Sequence, residues 1–256
     1  MKKILLLSTI SLFALFAVSC DAKAKEDTTS KSIINNEVTL VVSEVDDLLL
    51  YKPVSLGGLE LCCGYDVIPL KDTCAIFFAA AAYTKVYDLL ESRYDIVAGP
   101  YLDNGYFEGY ECPANSGAFY FIPANGRWGF VRNNIADMFQ GIASANEECT
   151  GFCQVMLLYN GEECSISHMA KPAKRAIRRA LCELNNELYV IDSKNKLSMY
   201  KFAERLRTLG VSNALYMDMG SMRYSAYREY DGGEWVEIHP RNRLTKYCSN
   251  YLVFYR

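Results

Sequence analysis

The sequence predicts an α+β (mixed α/β) fold: a single domain with one large mixed sheet flanked by a few helices. Three observations predict it. Short runs with period-two alternation, or rich in β-branched and aromatic residues, recur along the chain and outnumber helical stretches. Two longer stretches, 76–90 and 199–209, carry helical signals. The apolar fraction, 51%, is enough for an ordinary core, and no Pro/Gly/Ser-rich linker or internal repeat interrupts residues 37–256, so these read as one domain.

The elements follow in order. Residues 38–42 alternate as a strand. Residues 76–90 read as a helix whose centre, Ala79 to Ala82, allows close packing. A strand from 95 to 98 runs toward Asn104. Residues 119–122 and 128–131 form a hairpin joined at Asn125-Gly126. Residues 135–142 suit a short helix, and 155–159 a strand closed by Asn160-Gly161. The turn Asn185-Asn186 leads into a strand at 188–191. Ser198 caps a helix that presents Met199, Phe202, Ala203, Leu206 and Leu209 on one face and stops at Gly210. Residues 211–217 re-enter the sheet, and 251–255 are apolar enough for an inner strand.

The N-terminus is read as a targeting segment. Lys2 and Lys3 precede an apolar stretch, 4–18, that is short for a membrane span. Ala17-Val18-Ser19-Cys20 resembles a bacterial lipoprotein signal, so residues 1–19 are expected to be removed and Cys20 to be lipidated. Residues 21–36 are too polar to fold, so 20–36 form a disordered tether. The expected location is the bacterial cell envelope, with the domain lipid-anchored in the periplasm or at the outer-membrane surface. Leader and tether together resemble envelope lipoproteins of the Bacteroides group.

Net charge is −3, which argues against a nucleic-acid partner. Of ten cysteines, nine follow Cys20, so an odd one stays unpaired. Export makes disulfides available. Cys149 and Cys153, three residues apart around Gly151, suit a local bridge, whereas the adjacent Cys62 and Cys63 do not suit pairing with each other. Two histidines and no paired Cys-x-x-Cys elements disfavour zinc. His168 follows Cys164 closely, but a single such pair is weak evidence for a nucleophile and its base, and a surface or hydrogen-bonded histidine is the commoner case.

The chemistry concentrates near the C-terminus, in Ala214-Leu215-Tyr216-Met217-Asp218-Met219-Gly220-Ser221. An apolar strand stops on a carboxylate, and Gly220 permits a tight turn. Such strand ends commonly carry active-site residues, and a simple turn cap is the alternative. One basic cluster, Lys171, Lys174, Arg175, Arg178 and Arg179, is either an anion site or a solvated strand entry, since guanidinium forks match phosphate oxygens. Tyr101, Tyr106, Phe107 and Tyr110 surround Asn104, and Tyr224, Tyr227, Tyr230 and Trp235 follow Asp218. These rings suit either sugar stacking or strand packing.

The order of Asn104-Gly105-Tyr106-Phe107, the strand opening Arg178-Arg179-Ala180-Leu181-Cys182, a helix, and Tyr216-Met217-Asp218-Met219-Gly220 resembles the phosphodiester glycosidase domain family. That family carries an Asn-Gly-Gly-Phe-like stretch, an Arg-Thr-Ala-type strand and a Tyr-Leu-Asp-Gly-type segment. The likeness runs from about Val38 to the C-terminus. Tyr106, Arg179, Cys182 and Met219 depart from the family pattern.

The resemblance implies hydrolysis of a sugar 1-phosphodiester, N-acetylglucosamine-1-phosphodiester-like, in envelope or dietary and host glycans. Its transition state is oxocarbenium-like and needs nearby negative charge, while the departing phosphate needs donors. Under it, Asp218, Arg178 and Asn104 are the expected catalytic residues: Asp218 as base or stabiliser of the sugar carbon, Arg178 on the phosphate, and Asn104 on a sugar hydroxyl or the phosphate. Arg175, Tyr106, Phe107, Glu108, Gly220 and Ser221 are expected substrate contacts, with Asp103 a reserve carboxylate. No cofactor is implied; a divalent metal shared by Asp103, Glu108 and Asp218 is conceivable, but no ligand spacing demands one. The alternative is a non-catalytic glycan-binding surface lipoprotein. A disulfide-stapled inhibitor or adhesion module is a weaker third.

Overall fold

Sixteen strands and two α-helices carry the regular structure of the described residues of a computed structural model, which are 37–65, 67–84, 97–109, 116–146, 148–167 and 171–256. The expected leader, Cys20 and the tether lie outside them, as do Tyr110, Cys112, His168 and the expected strand start at residue 95. The strands form two sheets. The larger has eleven strands: β1 (Leu40–Val45), β2 (Leu48–Pro53), β5 (Tyr101–Asp103), β6 (Tyr106–Glu108), β7 (Ser116–Ile122), β8 (Arg127–Val131), β9 (Thr150–Tyr159), β10 (Glu162–Glu163), β11 (Arg179–Leu184), β12 (Glu187–Ser193) and β13 (Asn213–Tyr216). Its main path runs β1-β2-β12-β11-β13-β9-β5-β6. The smaller joins β3 (Gly58–Cys63), β4 (Ala75–Ala80), β14 (Ser225–Tyr227), β15 (Val236–His239) and β16 (Asn250–Tyr255) in the order β15-β14-β4-β16-β3. The helices are α1 (Ile135–Ala145) and α2 (Met199–Leu209).

This corrects the expected fold class. There is no single mixed sheet with flanking helices: the protein is mostly β, and every strand pairing is antiparallel. The expected helix over 76–90 is the main error. Ala75–Ala80 form β4, paired with β14 on one side and β16 on the other, and all six residues are buried. A central strand covered on both faces shows an unbroken apolar run, which periodicity cannot tell from a buried helix. Alanine's helix preference, worth tenths of a kcal/mol per residue, is overridden by two flanking hydrogen-bond ladders.

Local signals elsewhere hold. Asn185 and Asn186 both take positive φ, 55° and 61°, as a two-residue hairpin between twisted strands requires. In α2 the Ser198 hydroxyl accepts the Lys201 N–H at 3.1 Å. Gly210 is left-handed, and its N–H and that of Val211 bond back to Arg207 and Leu206 carbonyls.

Period two then sorts the layers. On β4 and β16, Phe77, Ala79, Leu252 and Phe254 face the gap between the sheets, where they join Leu181, Leu215, Phe119 and Phe152 of the larger sheet. Phe78, Tyr251 and Val253 face the other way, against Tyr224 and Trp235. The outer face of the larger sheet is covered by α2, with Phe202 and Leu206 on Ala180, Cys182 and Ala214. α1 covers its far end with Phe139 on Leu102 and Ala118.

The described cysteines form no disulfides. Cys62, Cys63, Cys74, Cys149, Cys153, Cys164, Cys182 and Cys248 are all unbridged. The expected Cys149–Cys153 bridge is excluded because the chain between them is extended β9. Four extended residues span ~13 Å, whereas a disulfide needs Cα atoms within about 7 Å.

One charged pair lies in the gap between the sheets. Arg179 donates to both carboxylate oxygens of Asp192 at 2.6 Å, with both side chains almost wholly buried. Removing one partner strands the other charge, so Asp192→Ala is expected to cost about 3–5 kcal/mol in guanidinium unfolding. The double replacement Arg179→Met with Asp192→Leu is expected to recover most of that loss.

Candidate functional site

The same alternation decides which of two adjacent arginines shares the face of Tyr216, two residues before the conspicuous carboxylate. Arg179 points between the sheets. Arg178, one residue earlier, points to the opposite face. There its Nε donates to the Leu197 carbonyl at 3.2 Å, one terminal nitrogen to the Tyr216 hydroxyl at 3.5 Å, and the other to the Lys174 carbonyl. It is 8% exposed. These contacts use three of its five N–H donors and leave two for a ligand.

Tyr216 is the last residue of β13. The next two residues leave the larger sheet: Met217 N–H still donates to Arg179 of β11, but Asp218 N–H donates to the Ala81 carbonyl at 2.8 Å, just past β4 of the smaller sheet. Asp218 thus stands where the chain passes between sheets, and it is 7% exposed. Its Oδ1 accepts the Gly220 N–H at 2.8 Å. Burial pushes its carboxyl up to about 6, against the smaller downward pulls of the Gly220 N–H and Arg223. Gly220 is needed for closeness: a Cβ there would sit 3.0 Å from Asp218 Oδ1. Ser221 is exposed, and its carbonyl accepts from Asn242.

Three further side chains complete this shell. Tyr83 follows the alanine run and packs its ring 6.3 Å from that of Tyr216. Its hydroxyl is held protonated by burial and by the fields of Tyr216 and Asp218, with Arg178 opposing. Arg223 folds back onto the Gly220 carbonyl at 3.3 Å. Cys248, buried, lies within the field of Asp218. Beneath, Asn250 fixes the strand end: its Oδ1 accepts the Ala82 N–H at 2.8 Å and its Nδ2 donates to the Ala82 carbonyl at 3.2 Å.

Arg178 and Asp218 are thus linked through Tyr216 and Tyr83, whose hydroxyls feel both of them, with Gly220 on the carboxylate and Ser221 exposed next to it. The charge that acts on Asp218 itself is that of Arg223. Arg175 is exposed and donates to the Lys196 carbonyl at 3.0 Å, away from the shell. Asn104 is elsewhere. It occupies the β5–β6 turn at φ 47° and borders a cavity with Glu60, Glu148 and Tyr255. Glu60 belongs to β3, and β16 lies between β3 and β4, the strand that leads to Ala81. Two strand spacings, ~10 Å, thus separate the two places. Tyr106 and Glu108 are exposed beside Asn104, and Phe107 is half-buried against the α1 layer. Among the described residues no three His, Cys, Asp or Glu side chains group to hold a metal ion, so Asp103, Glu108 and Asp218 form no such set.

Sequence reasoning missed Tyr83, Arg223 and the partnering role of Tyr216. Tyr216 carried a readable signal, since i and i+2 share a strand face and it is two residues before Asp218. Tyr83 carried none, because its segment reads as helix.

No family model matches the chain, and no curated protein matches it. Among solved structures, the fold is similar to the zebrafish N-acetylglucosamine-1-phosphodiester alpha-N-acetylglucosaminidase catalytic domain auto-inhibited by pro-peptide, with TM-score 0.55 and 13% identity over 86% of this chain and 83% of that one. A hypothetical protein from Synechocystis aligns at TM-score 0.49 and 14% identity, over 85% of this chain and 61% of that one. At 13% identity the first likeness is one of fold alone.

Proposed function

We propose that the chain is a glycosidase that hydrolyses sugar 1-phosphodiesters at Asp218. The observation that carries this reading is a buried carboxyl just past a strand end, pushed up to about 6, and an arginine with N–H donors to spare that shares Tyr216 and Tyr83 with it. The fold likeness to a phosphodiester glycosidase domain is consistent with it. Water attacks the anomeric carbon, and the bond from that carbon to the phosphate oxygen breaks, with its electrons leaving on the phosphate. The products are a free sugar and a phosphate monoester. Asp218, ionised, takes the proton from water or faces the positive sugar carbon. The two uncommitted N–H groups of Arg178 take the departing phosphate, whose charge matches a guanidinium fork. A phosphate monoester leaves readily, because its second pKa is about 6, so no strong general acid is required. Tyr83, whose hydroxyl feels both Asp218 and Arg178, is available as a protonated donor. The N-terminal pattern around Cys20 supports placing this domain at a membrane surface on a lipid anchor.

The test is hydrolysis of an N-acetylglucosamine 1-phosphodiester. Release of free sugar is expected from the parent, with Asp218→Asn and Arg178→Ala each lowering kcat/KM by about 100-fold or more. Both roles of Asp218 need the carboxylate, so the rate should rise with pH through about 6; a rate falling through that range would assign it as an acid instead. Sugar binding without turnover would assign the chain to non-catalytic glycan binding.

Stability offers an independent check. Asp218 titrates at about 6 in the folded chain against 3.8 ordinarily. Below pH 4 it is protonated in both states and burial costs nothing. As pH rises from about 4 to 6 the folded state must ionise a buried group, which costs about 3 kcal/mol in full. Asp218→Asn is therefore expected to be more stable than the parent by about 2–3 kcal/mol at pH 8 and equal to it at pH 4, by urea unfolding.

A further inference from the structure

The Asn104 turn lies apart from Asp218 and has a groove of its own. Two cavities, of about 250 and 510 Å³, share Asn104 and Glu148 in their walls. A third, of about 300 Å³, continues from Glu148 past Pro123. Tyr106, 74% exposed, stands over the larger cavity. At the opposite end the Tyr255 hydroxyl donates to Glu60 at 3.1 Å.

The floor is built rather than loose. Asn104 is held left-handed, and the next residue, Gly105, donates its N–H to the Cys149 carbonyl at 2.8 Å. The Thr150 hydroxyl accepts the Leu61 N–H at 2.8 Å and donates to the Leu102 carbonyl at 3.3 Å, locking β3 of one sheet to β9 and β5 of the other. The groove is therefore preformed, which lowers the ordering cost of binding.

Its chemistry is one-sided. Glu60 and Glu148 line it, and among the described residues no Lys or Arg does. Asp103 beside it is pushed up by burial and by the negative fields of Glu60 and Glu108. An anion is repelled here, so the phosphate end of a substrate belongs at Arg178 and not in this groove. Carboxylates are acceptors that hydroxyl groups satisfy, and the Asn104 amide offers both a donor and an acceptor. An exposed tyrosine ring offers an apolar face with a polar tip, the complement of a sugar ring's two aspects.

We propose that this groove binds an uncharged oligosaccharide, as a glycan site separate from the Asp218 centre. It stands whether or not that centre is hydrolytic.

The experiment uses the full chain and an array of neutral oligosaccharides, followed by calorimetric titration of the best binder against the parent, Tyr106→Ala and Glu148→Gln. Both variants alter exposed side chains and are expected to fold. Binding of at least one neutral glycan is expected, weakened about tenfold or more by each substitution, the effect of losing one good contact. Binding should persist in 0.5 M NaCl, because hydroxyl–carboxylate contacts are not ion pairs. The proposal is overturned if no neutral glycan binds, or if binding ignores both substitutions. It is equally overturned if only cationic ligands bind and salt removes them. Phosphodiester hydrolysis measured on the same preparations reports on Asp218 independently, so the two readings can fail separately.

Discussion

The chain's passage between its two sheets is the constraint on which the candidate site depends. At Met217 and Asp218, consecutive N–H groups bond to different sheets, the first to Arg179 and the second to Ala81. Ala81 itself lies where the chain leaves β4 on its way back to the larger sheet. Two crossings are thereby stitched to each other by one hydrogen bond. A carboxylate at that junction is enclosed by both layers, and its backbone N–H is held by Ala81. The side chain has little freedom beyond the Gly220 N–H that accompanies it.

Enclosure sets the electrostatics. Alanines at 81 and 82 and the buried Asn250 bring the smaller sheet close without supplying a cation to Asp218. Desolvation therefore outweighs the partial compensation from Arg223. Arg179 could have neutralised it, but strand alternation sends that guanidinium to Asp192, two strands' width of core away from the opening. The result is a buried carboxyl left partly uncompensated, an arrangement that costs stability and suits chemistry. His239 shows the same logic from the other side: burial and Arg179 together lower its pKa to about 4, despite Asp192 at 3.8 Å.

The molecule separates its charges. Arg223 and, through Tyr216, Arg178 stand on the Asp218 side, while Glu60, Asp103, Glu108 and Glu148 gather around the Asn104 turn. The motifs that seemed to belong to one site through their order along the chain thus serve two regions of opposite sign. That division could not be read from spacing, because Asn104 and Asp218 meet or part according to how β3, β16 and β4 lie side by side.

The sequence by itself determined what depends on neighbours within a few residues. The Ser198 cap, the Gly210 stop, the Asn185-Asn186 hairpin and the Asn125-Gly126 turn are all local matters of dihedral preference and hydrogen bonding. Tertiary structure alone decided the rest. Whether Ala75–Ala80 became helix or strand depended on β14 and β16, which arrive more than a hundred residues later. Which face each arginine took depended on register. Whether Cys149 and Cys153 could bridge depended on β9 starting between them. In each case the deciding energy is burial and pairing between distant segments, and a window of sequence holds only one of the partners.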